Sequence, residues 1–94
     1  MHTLVVTMTT DPARSEDVSR HLREDVTAWA QRQPGFVSGE WLLSDTQDSG
    51  LGLVTFDSAE AATQAAGGPL RGGHDDQRAW NVDSATVYGR VASA

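Results

Sequence analysis

Apolar residues alternate with polar ones in four stretches of the chain and recur every three to four residues in two others, a pattern that predicts four strands and two helices. His2 to Met8 alternates as a half-buried strand, with Leu4, Val6 and Met8 on one face and Thr3, Val5 and Thr7 on the other. From about Ala13 to Gln33, the residues Val18, Leu22, Val26 and Trp29 make a single apolar stripe of helical spacing. Asp11 is placed to cap the free N–H groups of that helix, and Pro12 suits its first position. Glu16 and Asp17 sit at its positive end, and Pro34-Gly35 ends it. Phe36 to Asp45 is the second strand, with Val37, Trp41 and Leu43 facing one way and Phe36, Ser38, Glu40 and Leu42 the other. A polar loop, Ser44 to Gly50, leads into the third strand, Leu51 to Phe56, in which Val54 and Phe56 oppose Leu51, Leu53 and Thr55. Asp57-Ser58-Ala59-Glu60 opens the second helix in capping-box form. Ala61, Ala62, Ala65 and Ala66 make that helix small enough to pack close to a sheet, and Gly67-Gly68-Pro69 breaks it. Arg71 to Asp76 reads as loop, and Gln77 to Trp80 is compatible with a helical turn. Val82 to Val91 is the last strand, with Ala85, Val87 and Val91 opposite Ser84, Thr86, Tyr88 and Arg90. Ala92-Ser93-Ala94 is a frayed tail.

The order strand, helix, strand, strand, helix, strand describes an α+β, ferredoxin-like βαββαβ domain covering residues 1–94. Right-handed crossovers are expected to set the first and third strands side by side and parallel. The hairpin adds the second strand beside the third, and the last strand pairs with the first. Both helices then cover one face of a four-stranded antiparallel sheet. The other face would present Val5, Phe36, Leu42, Leu51, Leu53 and Tyr88 among Thr, Ser, Glu40 and Arg90. A solvated face is mostly polar, so a mixed face of this kind points to an interface. Its simplest cover is the same face of a second copy related by a two-fold axis, which gives a homodimer with a barrel-like core between subunits.

Composition supports that expectation. A chain of 94 residues has a modest core and benefits from disulfides, metals or oligomerisation. It contains no Cys, which removes disulfides, thiolate metal sites and Cys nucleophiles together. Its net charge of -6 and the absence of a basic stripe argue against nucleic acid as a partner. No apolar run is long enough to span a bilayer, and Met1 to Val6 lacks the charged start of a signal peptide, so a cytoplasmic location is expected. All seven basic residues are Arg, which leaves no Lys for a Schiff base or a P-loop.

Three segments carry a family resemblance: Pro34-Gly35-Phe36-Val37-Ser38-Gly39-Glu40-Trp41, Val54 to Ala62, and Ala85-Thr86-Val87-Tyr88-Gly89-Arg90-Val91. With them the chain resembles the antibiotic-biosynthesis-monooxygenase group of dimeric α/β-barrel proteins over nearly its whole length. The resemblance implies a homodimer without metal or flavin cofactor that acts on a small aromatic, phenolic or polyketide-like molecule. The haem-degrading relatives use an Asn on the first strand; this chain has Thr and Val there, and its only Asn is Asn81. The ring-oxygenating members surround a phenolic substrate with Asn, Trp, Tyr and Arg. Those residue types occur here as Asn81, Trp80, Tyr88 and Arg90.

The candidate catalytic residues are therefore Trp80, Tyr88, His74 and Arg90, with Trp29, Trp41 and Asn81 as candidates for substrate binding. Large aromatics most often pack cores and interfaces, and the alternative for the three Trp residues is a pocket for a flat ring. Arg90 beside Tyr88 would either hold an acidic substrate group or form a dimer contact with Glu40. His74 is considered as a general base, because histidine exchanges protons near neutral pH. As metal ligands, His74, Asp75 and Asp76 are disfavoured, because adjacent residues rarely converge on one ion, so no metal is expected. The competing readings are a non-catalytic dimer that binds a small molecule or a protein, and an isomerase or decarboxylase with His74 or Glu40 as base.

Overall fold

The computed structural model describes residues 1–94. Strand β1 (His2–Thr10) leads through a 3-10 turn (Pro12–Arg14) into a helical rod of three parts: α1 (Ser15–His21), a π segment (Leu22–Val26) and α2 (Thr27–Gln31). Then come β2 (Phe36–Leu43), β3 (Ser49–Phe56), α3 (Ala59–Ala66) and β4 (Trp80–Gly89). The sheet order is β2-β3-β1-β4, and every neighbouring pair is antiparallel. This is the ferredoxin-like arrangement, with the rod and α3 on one face. β1 and β3 are adjacent as expected, but they run antiparallel rather than parallel. The hairpin reverses the chain between β2 and β3, so the strand parallel to β1 is β2, one place further out. No helix is long and apolar enough to cross a membrane.

The rod starts where Asp11 accepts a hydrogen bond from the Ala13 N–H at 3.0 Å, the cap that the Asp-Pro pair foreshadows. Its interior departs from a uniform helix. The Thr27 N–H donates to the Leu22 carbonyl, five residues back, which widens the turn and rotates α2 relative to α1. Val18 and Leu22 are buried as the stripe predicts, while Ala30, outside that stripe, is fully buried. The rod ends at Gln31, two residues before the predicted end. Gly35 comes next at φ 80°, and a Cβ there would stand 2.6 Å from Asp57 Oδ1 and 2.7 Å from Ala61 Cβ. Only Gly permits that approach, which ties the exit of the rod to the entry of α3.

Two β-bulges decide which side chains face the helices. One lies between Phe36 and Ser38, so Phe36 pairs with Phe56 and Ser38 with Thr55. Phe36 therefore packs against the core and not on the open face, and Val37 is left exposed. The second comes after the pairing of Thr7 with Ser84 and brings Val82 opposite Met8, which keeps Val82, Ala85 and Val87 all on the helix side. β4 begins at Trp80, in place of the helical turn compatible with Gln77 to Trp80, and ends at Gly89. Arg90 and Val91 lie beyond it, and Val91 is 99% exposed.

Leu4, Val54, Phe56, Val18 and Ala62 form the centre of the core. α3 carries Ala62 and Ala65 inward and comes close to β1, β3 and β4, as its small residues allow. The rod comes close to the sheet mainly where α2 meets β2. The space between the rod and the sheet is where the largest side chains lie.

Candidate active site

That space is a cavity of about 350 Å³, at the small end of the range for ligand pockets, roughly 300–1,000 Å³. All four strands, the rod and the turn after α3 contribute to its walls. Trp29, Trp41 and Trp80 all line it, from three separate elements.

Each indole has a structural reason for its place. Trp41 lies over a floor made by two glycines. A Cβ at Gly39 would come within 2.7 Å of Trp41 Cη2, and one at Gly52, the cross-strand partner of Trp41, within 3.1 Å of Cδ1 and Nε1. Trp29 projects from α2 against Gly68, where a Cβ would meet Cζ2 at 3.0 Å. Trp80 opens β4 opposite Thr10 and stacks on His21, with ring centroids 3.9 Å apart and planes 22° apart. His21 in turn shares a hydrogen bond between Nδ1 and Asp25 Oδ2 at 2.9 Å. His21 and Asp25 are the only ionisable residues lining the cavity; its other walls are aliphatic, aromatic or glycine. An apolar, ring-lined space with one polar pair at its edge suits a flat, mostly hydrophobic molecule carrying a hydroxyl.

The remaining sequence candidates lie elsewhere. Tyr88 is 55% exposed, beyond the cavity walls. Arg90 is exposed past the end of β4, where its N–H donates to the Met1 carbonyl at 3.1 Å. His74 is on the exposed loop before β4 and bonds Asp76 through Nε2 at 2.6 Å. Asn81 is buried, and its amide is spent on the same loop: it accepts from the Asp75 N–H at 2.8 Å and donates to the Asp75 carbonyl at 2.9 Å. Arg78 adds to this tie, donating to Asn81 Oδ1 at 3.1 Å and to the Gly73 carbonyl. Of the seven candidates, the fold thus brings together the three Trp residues. Sequence reasoning missed His21 and Asp25. Their spacing of four on a helix, one turn from the apolar stripe, was the available signal.

No family model matches the sequence, and no curated protein matches it either. Solved structures do match. The haem-degrader MhuD of Mycobacterium tuberculosis, with two haems in its active site, superposes with a TM-score of 0.74 at 15% identity, covering 100% of this chain and 99% of that one. SnoaB of Streptomyces nogalater, a cofactor-independent oxygenase, gives 0.65 at 21% identity over 98% and 94%. The ActVA-Orf6 monooxygenase of Streptomyces coelicolor, in complex with nanaomycin D, gives 0.65 at 16% identity over 99% and 89%. These neighbours are antibiotic-biosynthesis-monooxygenase proteins of the dimeric α/β-barrel type.

This chain shares their fold, a four-stranded antiparallel sheet with its helices on one face. Within that fold, the space between its rod and sheet is the cavity that holds Trp29, Trp41 and Trp80.

Proposed function

We propose that this protein is a cofactor-independent, monooxygenase-like enzyme acting on a small aromatic substrate with a phenolic or anthrone-like ring. The observation that carries the reading is the cavity of about 350 Å³ walled by three indoles and a single ionisable pair. Its likeness in fold to SnoaB and to the nanaomycin D-bound monooxygenase supports the same reading.

The chemistry asks little of the protein. Loss of a proton turns a phenol or anthrone into an electron-rich anion that dioxygen itself can oxidise. One oxygen atom stays on the ring carbon as a carbonyl, and the other leaves as water. The protein must orient the ring, accept the proton and exclude bulk water. Trp29, Trp41 and Trp80 take the first and last of these roles. Two copies related by a two-fold axis would join through the open sheet face, where Leu42, Leu51 and Tyr88 are exposed.

Oxygen uptake by the metal-free protein with a dihydroxyanthrone tests the reading, with heat-denatured protein and a Trp80→Phe variant as controls. Uptake well above both controls is expected. Uptake equal to the denatured control removes this substrate class and leaves a binding role for the cavity.

A further inference from the structure

We infer that His21 and Asp25 are the proton-accepting pair of the cavity, with His21 taking a proton from a bound phenolic hydroxyl and Asp25 positioning the imidazole. The inference rests on the aromatic-substrate reading above and supplies a base that the exposed Tyr88, His74 and Arg90 do not.

Three observations converge on the pair. The two side chains are the cavity's only ionisable groups, so any proton taken up by its walls goes to one of them. The bond from His21 Nδ1 to Asp25 Oδ2, 2.9 Å, sets the tautomer. A carboxylate only accepts, so the shared proton belongs to Nδ1 and the lone pair to Nε2, which has no partner within the chain. Stacking on Trp80 at 3.9 Å fixes the plane of the ring. Hydrogen bond and stack together hold the imidazole as an oriented base held by a third group. Exposure divides the labour: the His21 side chain is 29% exposed and that of Asp25 is 70% exposed. The imidazole is thus sheltered at the cavity while the carboxylate faces water. Arg20, next in the chain, is engaged by Asp17 at 2.6 Å, and no charged side chain from the sheet or α3 reaches the cavity wall. The pair also straddles the junction of α1 with the π segment, a helix irregularity often found at functional sites.

The step balances without electron transfer. The phenol O–H bond breaks and an Nε2–H bond forms. The substrate becomes a phenolate and the imidazole an imidazolium, whose Nδ1–H stays on Asp25. The indole face of Trp80 accommodates the cation as well as the neutral ring.

Alizarin, a dihydroxyanthraquinone that consumes no oxygen, separates binding from proton transfer. Quenching of Trp fluorescence reports binding, and the visible spectrum reports phenol against phenolate. Wild type is expected to bind the dye and to ionise it about one pH unit or more below the free dye. At a pH below the free dye's ionisation, H21Q is expected to bind the neutral dye within about threefold of wild type, and it is expected to lose that shift. D25N, which keeps an acceptor but no charge, is expected to lose most of it. Quenching without a shift in wild type, or an undiminished shift in H21Q, overturns the assignment and leaves the aromatic-binding reading standing. If H21Q does not fold, D25N decides: a full shift overturns the assignment and a reduced one supports it. Absence of quenching in wild type removes the aromatic-binding reading and the inference with it.

Discussion

Replacing Gly39 with Ala probes how the cavity is built. Its Cβ would stand 2.7 Å from Trp41 Cη2 and 3.0 Å from Cζ3, whereas carbon atoms pack best at about 3.5–4.0 Å. The six-membered ring must therefore lift away from the strand by about 1 Å. Overpacking of this kind costs about 2 kcal/mol, the middle of the usual range. Ala loses less backbone freedom than Gly in a strand, which offsets about 0.5–1 kcal/mol. A net loss of about 1–1.5 kcal/mol remains, and in a domain of this size each kcal/mol lowers Tm by roughly 4–8 °C. The indole is also a wall of the cavity, so its displacement should lower alizarin affinity by about tenfold. Thermal melting monitored by far-UV circular dichroism, together with fluorescence titration, measures both. Gly67→Ala is the control: its Cβ would have no atom nearer than 3.9 Å and φ is -69°, so stability should hold or rise. Unchanged melting and unchanged affinity in G39A would refute the role of the glycine floor, and an equal loss in G67A would deny its specificity.

Three further outcomes are expected. The Ala13 backbone N–H, together with the smaller effect of the Arg14 side chain, holds the Asp11 carboxyl below its ordinary 3.8. A carboxyl depressed on folding stabilises above its unfolded value and loses that contribution as pH falls through the folded value. The stability difference between wild type and D11A should therefore shrink as pH drops below 3.8, and an NMR midpoint at or above 3.8 for Asp11 would contradict the cap. Light scattering at micromolar concentration should give about twice 10.1 kDa for wild type and one copy for folded Leu42→Glu, and a monomeric wild type would sink the two-fold assembly. Asn81→Ala leaves the Asp75 N–H and carbonyl without their partner, at a cost of about 1–3 kcal/mol. Amide exchange should quicken across residues 72–78 while alizarin still binds; loss of the dye would instead place Asn81 at the ligand.

Local rules carried the fold a long way. Period-two and helical stripes, the Asp11-Pro12 start, the Ser58 cap and the Gly-Pro stops are all short-range features, and they suffice for the order of elements and the ferredoxin-like class. They also set Trp29 on the apolar stripe of the first helix and Trp41 on one face of the second strand. Three things depended on distant parts of the chain. A bulge at Val37 moved Phe36 to the helix side, because bulges answer to the pairing of strands and not to the local pattern. The hairpin reversal made β1 and β3 antiparallel. The cavity exists because the rod stands off the sheet where Trp41 lies over Gly39 and Gly52, which are thirteen positions apart in sequence and come together only across the β2–β3 pairing. His21 and Asp25 gain meaning the same way. In sequence they are one polar pair among many on a helix, and what separates them from the rest is Trp80, which reaches them only when β4 closes the sheet beside β1.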